Sequence, residues 1–101
     1  MELSLPQAPP AIADATIGRG VILNTACSID HDCVIGDGVH IGPGVRLCGN
    51  VKVGTRSLTG VGSAIRPGVT IGSDVVVGAG SAVVADIPDG SVVAGCPARR
   101  L

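Results

Sequence analysis

The sequence predicts an all-β chain wound as a parallel β-helix of about four coils. Three observations carry that prediction. An aliphatic residue returns every six positions, glycine follows it repeatedly, and the 101-residue chain contains no Phe, Tyr or Trp. Without aromatic side chains a compact core has to be assembled from many small aliphatic contacts, and repetition is one way to assemble it. At this length the chain forms one domain with a small core. A formal net charge of −1 supplies neither a basic field for nucleic acid nor a polybasic membrane anchor.

Residues 1–10, MELSLPQAPP, form a proline-rich N-terminal segment. It lacks the basic and apolar regions of a signal peptide, and the greasiest window, VVVGAGSAVVA, is too short and too glycine-rich to span a bilayer. The expected location is the cytoplasm. Cys27, Cys33, Cys48 and Cys96 show no CxxC spacing, so reduced thiols are expected in place of disulfides or a zinc site.

The β-helix is read over residues 11–88. Stepping by six from Ala11 gives Ile17, Leu23, Ile29, Ile35, Ile41, Leu47, Val53, Thr59, Ile65, Ile71, Val77 and Val83, and the fifth position of each hexad is small or apolar, Cys27 and Cys33 included. The phase is expected to run from Ala11 to Pro88 without an insertion. Each hexad suits a short strand plus a corner, with the glycine after the aliphatic residue supplying freedom to turn. Three hexads close a triangular coil, so residues eighteen apart stack at about 4.8 Å. Thr59 interrupts the aliphatic column. Its hydroxyl is expected to bond a neighbouring carbonyl, loosening the coil locally without changing the fold. Residues 89–101 are read as a C-terminal tail. So short a solenoid exposes flat faces and open ends, which predicts self-association. The general crossover rule favours right-handed coils.

Both histidines fall in one run, NTACSIDHDCVIGDGVHIGPG. His31 is third in its hexad, near a corner and off the aliphatic column, and its ladder neighbours Ala13 and Gly49 are small enough to leave room for a reactant. Histidine is the natural general base near neutral pH. Asp32 follows it, and orienting the imidazole from there requires a corner between the two, because strict alternation sends them to opposite sides. Asp30 is the rival partner, and Asp14 stacks one coil below Asp32. Asp30, Asp32 and Asp37 also have a plain reading as turn residues. His40 lies nine residues on, half a coil away, so the two histidines fit a subunit boundary better than a single prism.

The run GVILNTACSIDHDCVIGDGVHIGPG, then GNVKVG, VVVGAGSAVV and the terminal AGCPARRL, resembles the hexapeptide-repeat acyltransferases, and among them the NeuD/PglD-type sugar acetyltransferases. The resemblance implies a left-handed β-helix, in place of the right-handed default, and a homotrimer that binds acetyl-CoA between neighbouring prisms. It implies His31 as catalytic base, Asp32 as the residue that orients it, and His40, Val61 and Ala79 as contacts to acetyl-CoA, without a metal. The acceptor implied is a sugar: an amino group of a nucleotide-linked sugar, or alternatively a hydroxyl of sialic acid or a similar sugar. Family members usually carry a Rossmann-like domain before the β-helix, and the chain corresponds to the β-helix domain only. Arg99 and Arg100 suit either a solvated tail or the phosphates of coenzyme A.

Two other classes use the same prism. A carbonic-anhydrase-like metalloenzyme needs three histidine ligands, and the chain has two. An ice-binding face needs regular threonine ladders, which Thr16, Thr25, Thr55, Thr59 and Thr70 do not form; a non-catalytic β-helix scaffold or binding module is the other alternative, separated from an enzyme by an acceptor assay.

Overall fold

The computed structural model describes residues 14–101. The segment 1–10, the register's first residue Ala11, and Ala13 lie outside the described residues. The described chain is all β, with short strands β1 (Thr16–Ile17), β2 (Ile22–Leu23), β3 (Ser28–Ile29), β4 (Val34–Ile35), β5 (His40–Ile41), β6 (Arg46–Leu47) and β7 (Lys52–Val53). They continue as β8 (Leu58–Thr59), β9 (Ala64–Ile65), β10 (Thr70–Ile71), β11 (Val76–Val77), β12 (Ala82–Val83), β13 (Val92–Ala94) and β14 (Arg99–Arg100). Successive strands go to successive sheets. The first sheet is β1-β4-β7-β10, the second β2-β5-β8-β11-β13 with β14 at its edge, and the third β3-β6-β9-β12.

Parallel partners such as Val34↔Lys52 and Ile41↔Thr59 stand eighteen residues apart, so three strands and three corners make one coil, and there are about four coils. This is the hexapeptide solenoid the period predicts. Within a hexad the fifth residue points in, the sixth out and the next first residue in, as strand alternation demands. Two buried columns result, exemplified by Val39 and Ile41, Val45 and Leu47, Val75 and Val77. Cys27 and Cys33 line this core as expected.

The corners turn at a different residue from the one expected. The fourth residue of every hexad from Asp14 to Gly80 has a positive φ. Glycine fits this at Gly38; Asp14, Asp32, Asn50 and Asp74 have short polar side chains that tolerate the left-handed region, while Ala26 and Arg56 carry strain there. The glycine after the aliphatic residue serves close stacking instead. At Gly54 a Cβ would stand 2.5 Å from the backbone of Gly72 and Ser73 in the next coil.

The expected phase ends at Val83. Ile87 pairs with Ile71, and Val92 and Val93 with Val76 and Val77, each at a separation of sixteen. The last coil is therefore two residues short, and Ile87 fills the first-position column, not the fifth. The segment read as a tail from residue 89 includes β13, which continues the second sheet, and β14, which folds back antiparallel upon it.

Thr59 does not loosen its coil. It is buried, its Oγ1 donates to the His40 carbonyl at 3.4 Å, and β8 keeps register with both neighbours. Hydroxyls also serve the fifth position. Ser57 Oγ donates to Gly72 O at 2.6 Å and accepts from Val75 N at 3.0 Å; Ser81 Oγ donates to Gly78 O at 2.6 Å and accepts from Gly95 N at 3.2 Å. These serines tie each corner to the coil above it.

Candidate active site

The chain runs from first to second to third sheet in each coil, and each corner has its own column of third-position residues. His31 lies on the corner that leads from β3 to β4, that is, from the third sheet back to the first. At the other two corners the second residue of the hexad is mostly glycine, as in Gly18, Gly36, Gly54 and Gly72. On the His31 corner it is Asp30, Cys48, Arg66 or Val84. That departure from the glycine pattern is a sequence signal marking this corner, and the hexad reading passed over it.

His31 and Asp32 form a pair across the corner. Asp32 adopts φ 59°, which breaks strand alternation and swings its carboxylate back beside the ring; Oδ2 stands 3.1 Å from His31 Nδ1. With the ring proton on Nδ1, the hydrogen bond to Asp32 leaves Nε2 as the acceptor. The pair is open to solvent, His31 at 59% and Asp32 at 53% side-chain exposure. The condition for Asp32 to orient the ring is thus met, and among the described hydrogen bonds to His31 side-chain atoms Asp30 has none.

Gly49 sits one coil above His31, but the room it leaves is already filled. A Cβ on Gly49 would lie 2.6 Å from both Cε1 and Nε2 of His31, so the ring itself rests over the glycine, which is buried. The expectation is that this space admits a reactant; on the Gly49 side it holds the His31 ring. Ala13, the other expected neighbour, lies outside the described residues. The His31 carbonyl accepts from Asn50 N at 3.0 Å, fixing the corner from above.

His40 occupies the outward position of β5, on the second sheet, the face opposite the His31 corner. One prism cannot bring the two together. Its ladder neighbours are Ile22 below and Leu58 above, followed by Val76 and Val92. These four aliphatic side chains are exposed and form an apolar stripe with His40, partly buried, among them. The outward rows of the other sheets are mixed: Thr16, Val34, Lys52 and Thr70 on the first; Ser28, Arg46, Ala64 and Ala82 on the third.

Val61 and Ala79 share the corner between second and third sheets, eighteen residues apart on one line and both exposed, Val61 at 53%. Beside them Gly62 and Gly80 face open space. Together they make an exposed line of small and apolar residues along that corner. Arg99 and Arg100 are exposed in β14. Among the described residues no three His, Cys, Asp or Glu side chains gather as metal ligands would. No helix among the described residues is long and apolar enough to cross a membrane.

Comparison with known proteins gives this geometry relatives. The bacterial transferase hexapeptide family (six repeats) matches residues 14–49. No curated protein matches the chain. Among solved structures, the GDP-perosamine N-acetyltransferase of Caulobacter crescentus, a variant with one histidine replaced by alanine bound to CoA and GDP-perosamine, is 42% identical with a TM-score of 0.94. The match covers 98% of this chain and 47% of that one. The acetyltransferase domain of PglB from Neisseria gonorrhoeae, in complex with acetyl coenzyme A, is 41% identical with a TM-score of 0.83, covering 95% of this chain and 55% of that one. The serine acetyltransferase CysE of Neisseria gonorrhoeae is 32% identical with a TM-score of 0.82, covering 86% of this chain and 37% of that one. The chain thus spans about half the length of the sugar acetyltransferases it resembles.

Proposed function

From a chain that carries the bacterial transferase hexapeptide repeat and shares its solenoid with sugar acetyltransferases, we propose an acetyl-CoA-dependent acetyltransferase acting on an amino group of a nucleotide-linked sugar. The observation that carries the reading is the His31–Asp32 pair at 3.1 Å on an exposed corner of that solenoid. Acetyl-CoA supplies the acetyl group as a thioester whose thiolate leaves with little acid assistance. Nε2 of His31 takes the proton that the acceptor amine loses as it attacks. Asp32, holding Nδ1–H, keeps the ring in the receptive tautomer and stabilises the imidazolium that forms.

The assembly is part of the proposal: left-handed prisms associate as a homotrimer through the apolar stripe of the second sheet. Association carries His40 from one prism toward the His31 corner of its neighbour, where an imidazole N–H directed at the thioester carbonyl stabilises the developing oxyanion. Val61 and Ala79 guide the pantetheine arm. Two lines of support are the exposed Ile22–Leu58–Val76–Val92 row and the topological separation of the two histidines within one prism. The proposed location is cytoplasmic, where acetyl-CoA and nucleotide sugars are made.

The O-acetylation reading has its own observation, the likeness to a serine acetyltransferase. A histidine base serves a hydroxyl as well as an amine. A thiol-release assay with acetyl-CoA against nucleotide-linked 4-amino sugars, sialic acid, serine and simple amines separates the readings. Turnover with the amino sugar that falls at least roughly 100-fold in His31→Ala is expected. Full rate in that variant, or no turnover with any acceptor, sinks the assignment.

A further inference from the structure

We infer that Gly49 is a positioning residue for the base, its missing side chain being the seat that holds the His31 imidazole against Asp32. The inference rests on the reading of His31 as the base. Two features of the glycine support it. Its φ is not among the positive ones, so the backbone there does not itself call for glycine. The atoms that a Cβ would meet are also different in kind. At Gly36, Gly42, Gly54 and Gly60 the nearest obstacles are backbone atoms of the next coil, and at Gly18, Gly72 and Gly78 a side-chain atom of Asp37, Asp89 or Ala94 comes with backbone beside it. At Gly49 all three are ring atoms of one side chain, Cε1, Nε2 and Cδ2 of His31 at 2.6, 2.6 and 3.3 Å.

The glycine therefore makes room for one side chain and does not permit a turn or a close backbone contact. An alanine there leaves the coil intact and displaces only the exposed end of His31, which swings outward on its side-chain torsions. The displaced ring no longer keeps Nδ1 at 3.1 Å from Asp32 Oδ2. Without that partner the neutral ring loses its bias toward the Nδ1–H tautomer, and Nε2 loses its role as acceptor. A shift of about 1 Å in a reacting group is enough to cost roughly two orders of magnitude in rate.

The test uses the whole chain. In the wild-type protein, nuclear magnetic resonance is expected to show an Overhauser contact between Hε1 of His31 and the Gly49 α-protons, and ring nitrogen shifts of the Nδ1–H tautomer where the ring is neutral. With only two histidines in the chain, His40→Asn assigns the signals. In Gly49→Ala the tautomer signature and the contact disappear, the melting temperature stays within about 2 °C, and kcat falls roughly 10–100-fold with KM for acetyl-CoA little changed. Absence of the Overhauser contact in the wild type, or retention of tautomer and kcat in Gly49→Ala, overturns the inference. Because the resonance measurements need no substrate, they judge the seat even if His31→Ala proves fully active and the proposed chemistry fails.

Discussion

The Cys33 thiol donates to the Cys48 carbonyl at 3.2 Å, the same contact that Ser57 makes with Gly72 and Ser63 with Gly78, each fifteen residues along the chain. A cysteine thus does at the end of the His31 corner what serines do after the other two corners. Cys33→Ser is accordingly expected to leave stability unchanged within about 1 kcal/mol, since the hydroxyl enters a hydrogen bond the fold already uses. Burial pushes the Cys27 and Cys33 thiols up from their ordinary range. In native protein at neutral pH only Cys96, which is exposed, should react rapidly with a thiol reagent, and Cys27 and Cys33 only on unfolding. Rapid native labelling of Cys33 would contradict the stitched corner.

Serines in one structural position differ in worth. Ser57→Ala removes both the donor to Gly72 O and the acceptor for Val75 N inside the core, and should destabilise by about 1–3 kcal/mol. Ser91 is equally buried, at 2% exposure, but its Oγ has no partner among the described residues; it borders a cavity of about 140 Å³ at the end of the prism. Ser91→Ala should be neutral or stabilising. Denaturant unfolding of the two variants side by side tests the contrast, and equal losses would refute it.

Arg56 donates to Asp74 through Nε at 2.8 Å and Nη2 at 3.0 Å, and this hydrogen bond holds the Asp74 carboxyl below the usual carboxylate range. A depressed folded value means the contribution is present above the unfolded pKa, near 3.9, and is lost as pH falls through the lower folded value. Both groups are exposed, so the effect on stability is small. Carboxyl titration by nuclear magnetic resonance should show Asp74 returning upward in Arg56→Gln. No change would mean that the pair does not persist in solution.

The aliphatic stripe predicts assembly. Val76→Glu places a charge in the middle of the Ile22–Leu58–Val76–Val92 row without touching the inward column, so each prism should still fold. Sedimentation is expected to find a trimer for the wild type and smaller species for the variant. A wild-type monomer at micromolar concentration would remove the shared cleft and with it the proposed role of His40.

How much of this was legible in the sequence differs by feature. The three-sheeted solenoid was legible from Ile17 to Val83, because every six-residue step except that at Thr59 puts one aliphatic side chain into the core. Beyond Val83 the period misled. Ile87 looks like a fifth-position residue, and only its pairing with Ile71 reveals the two-residue slip. The His31–Asp32 contact was legible as a condition, a corner between them; the left-handed backbone that fulfils it at Asp32 is a property of the fourth hexad position that the obvious glycines at the second position concealed. That Gly49 is small is plain from the sequence, but spacing says nothing about which neighbour uses the space. A side chain that leans from one coil onto the next is a three-dimensional fact.

Asp32 offers the sharpest separation of chemistry from stability. Asp32→Asn keeps a short polar side chain that tolerates φ 59°, so the corner should fold as before. Its amide can present N–H to His31 Nδ1, however, which stabilises the tautomer with the proton on Nε2, the wrong atom for a base. Asp32→Ala forces no tautomer but leaves an alanine in the left-handed region, at a cost of about 1 kcal/mol. The two rankings should therefore cross: Asn the more stable variant, Ala the more active, with kcat in Asn reduced roughly 100-fold or more. Melting curves and kcat measured on both variants decide it. If activity simply follows stability, Asp32 is a corner residue and its carboxylate does not govern the imidazole.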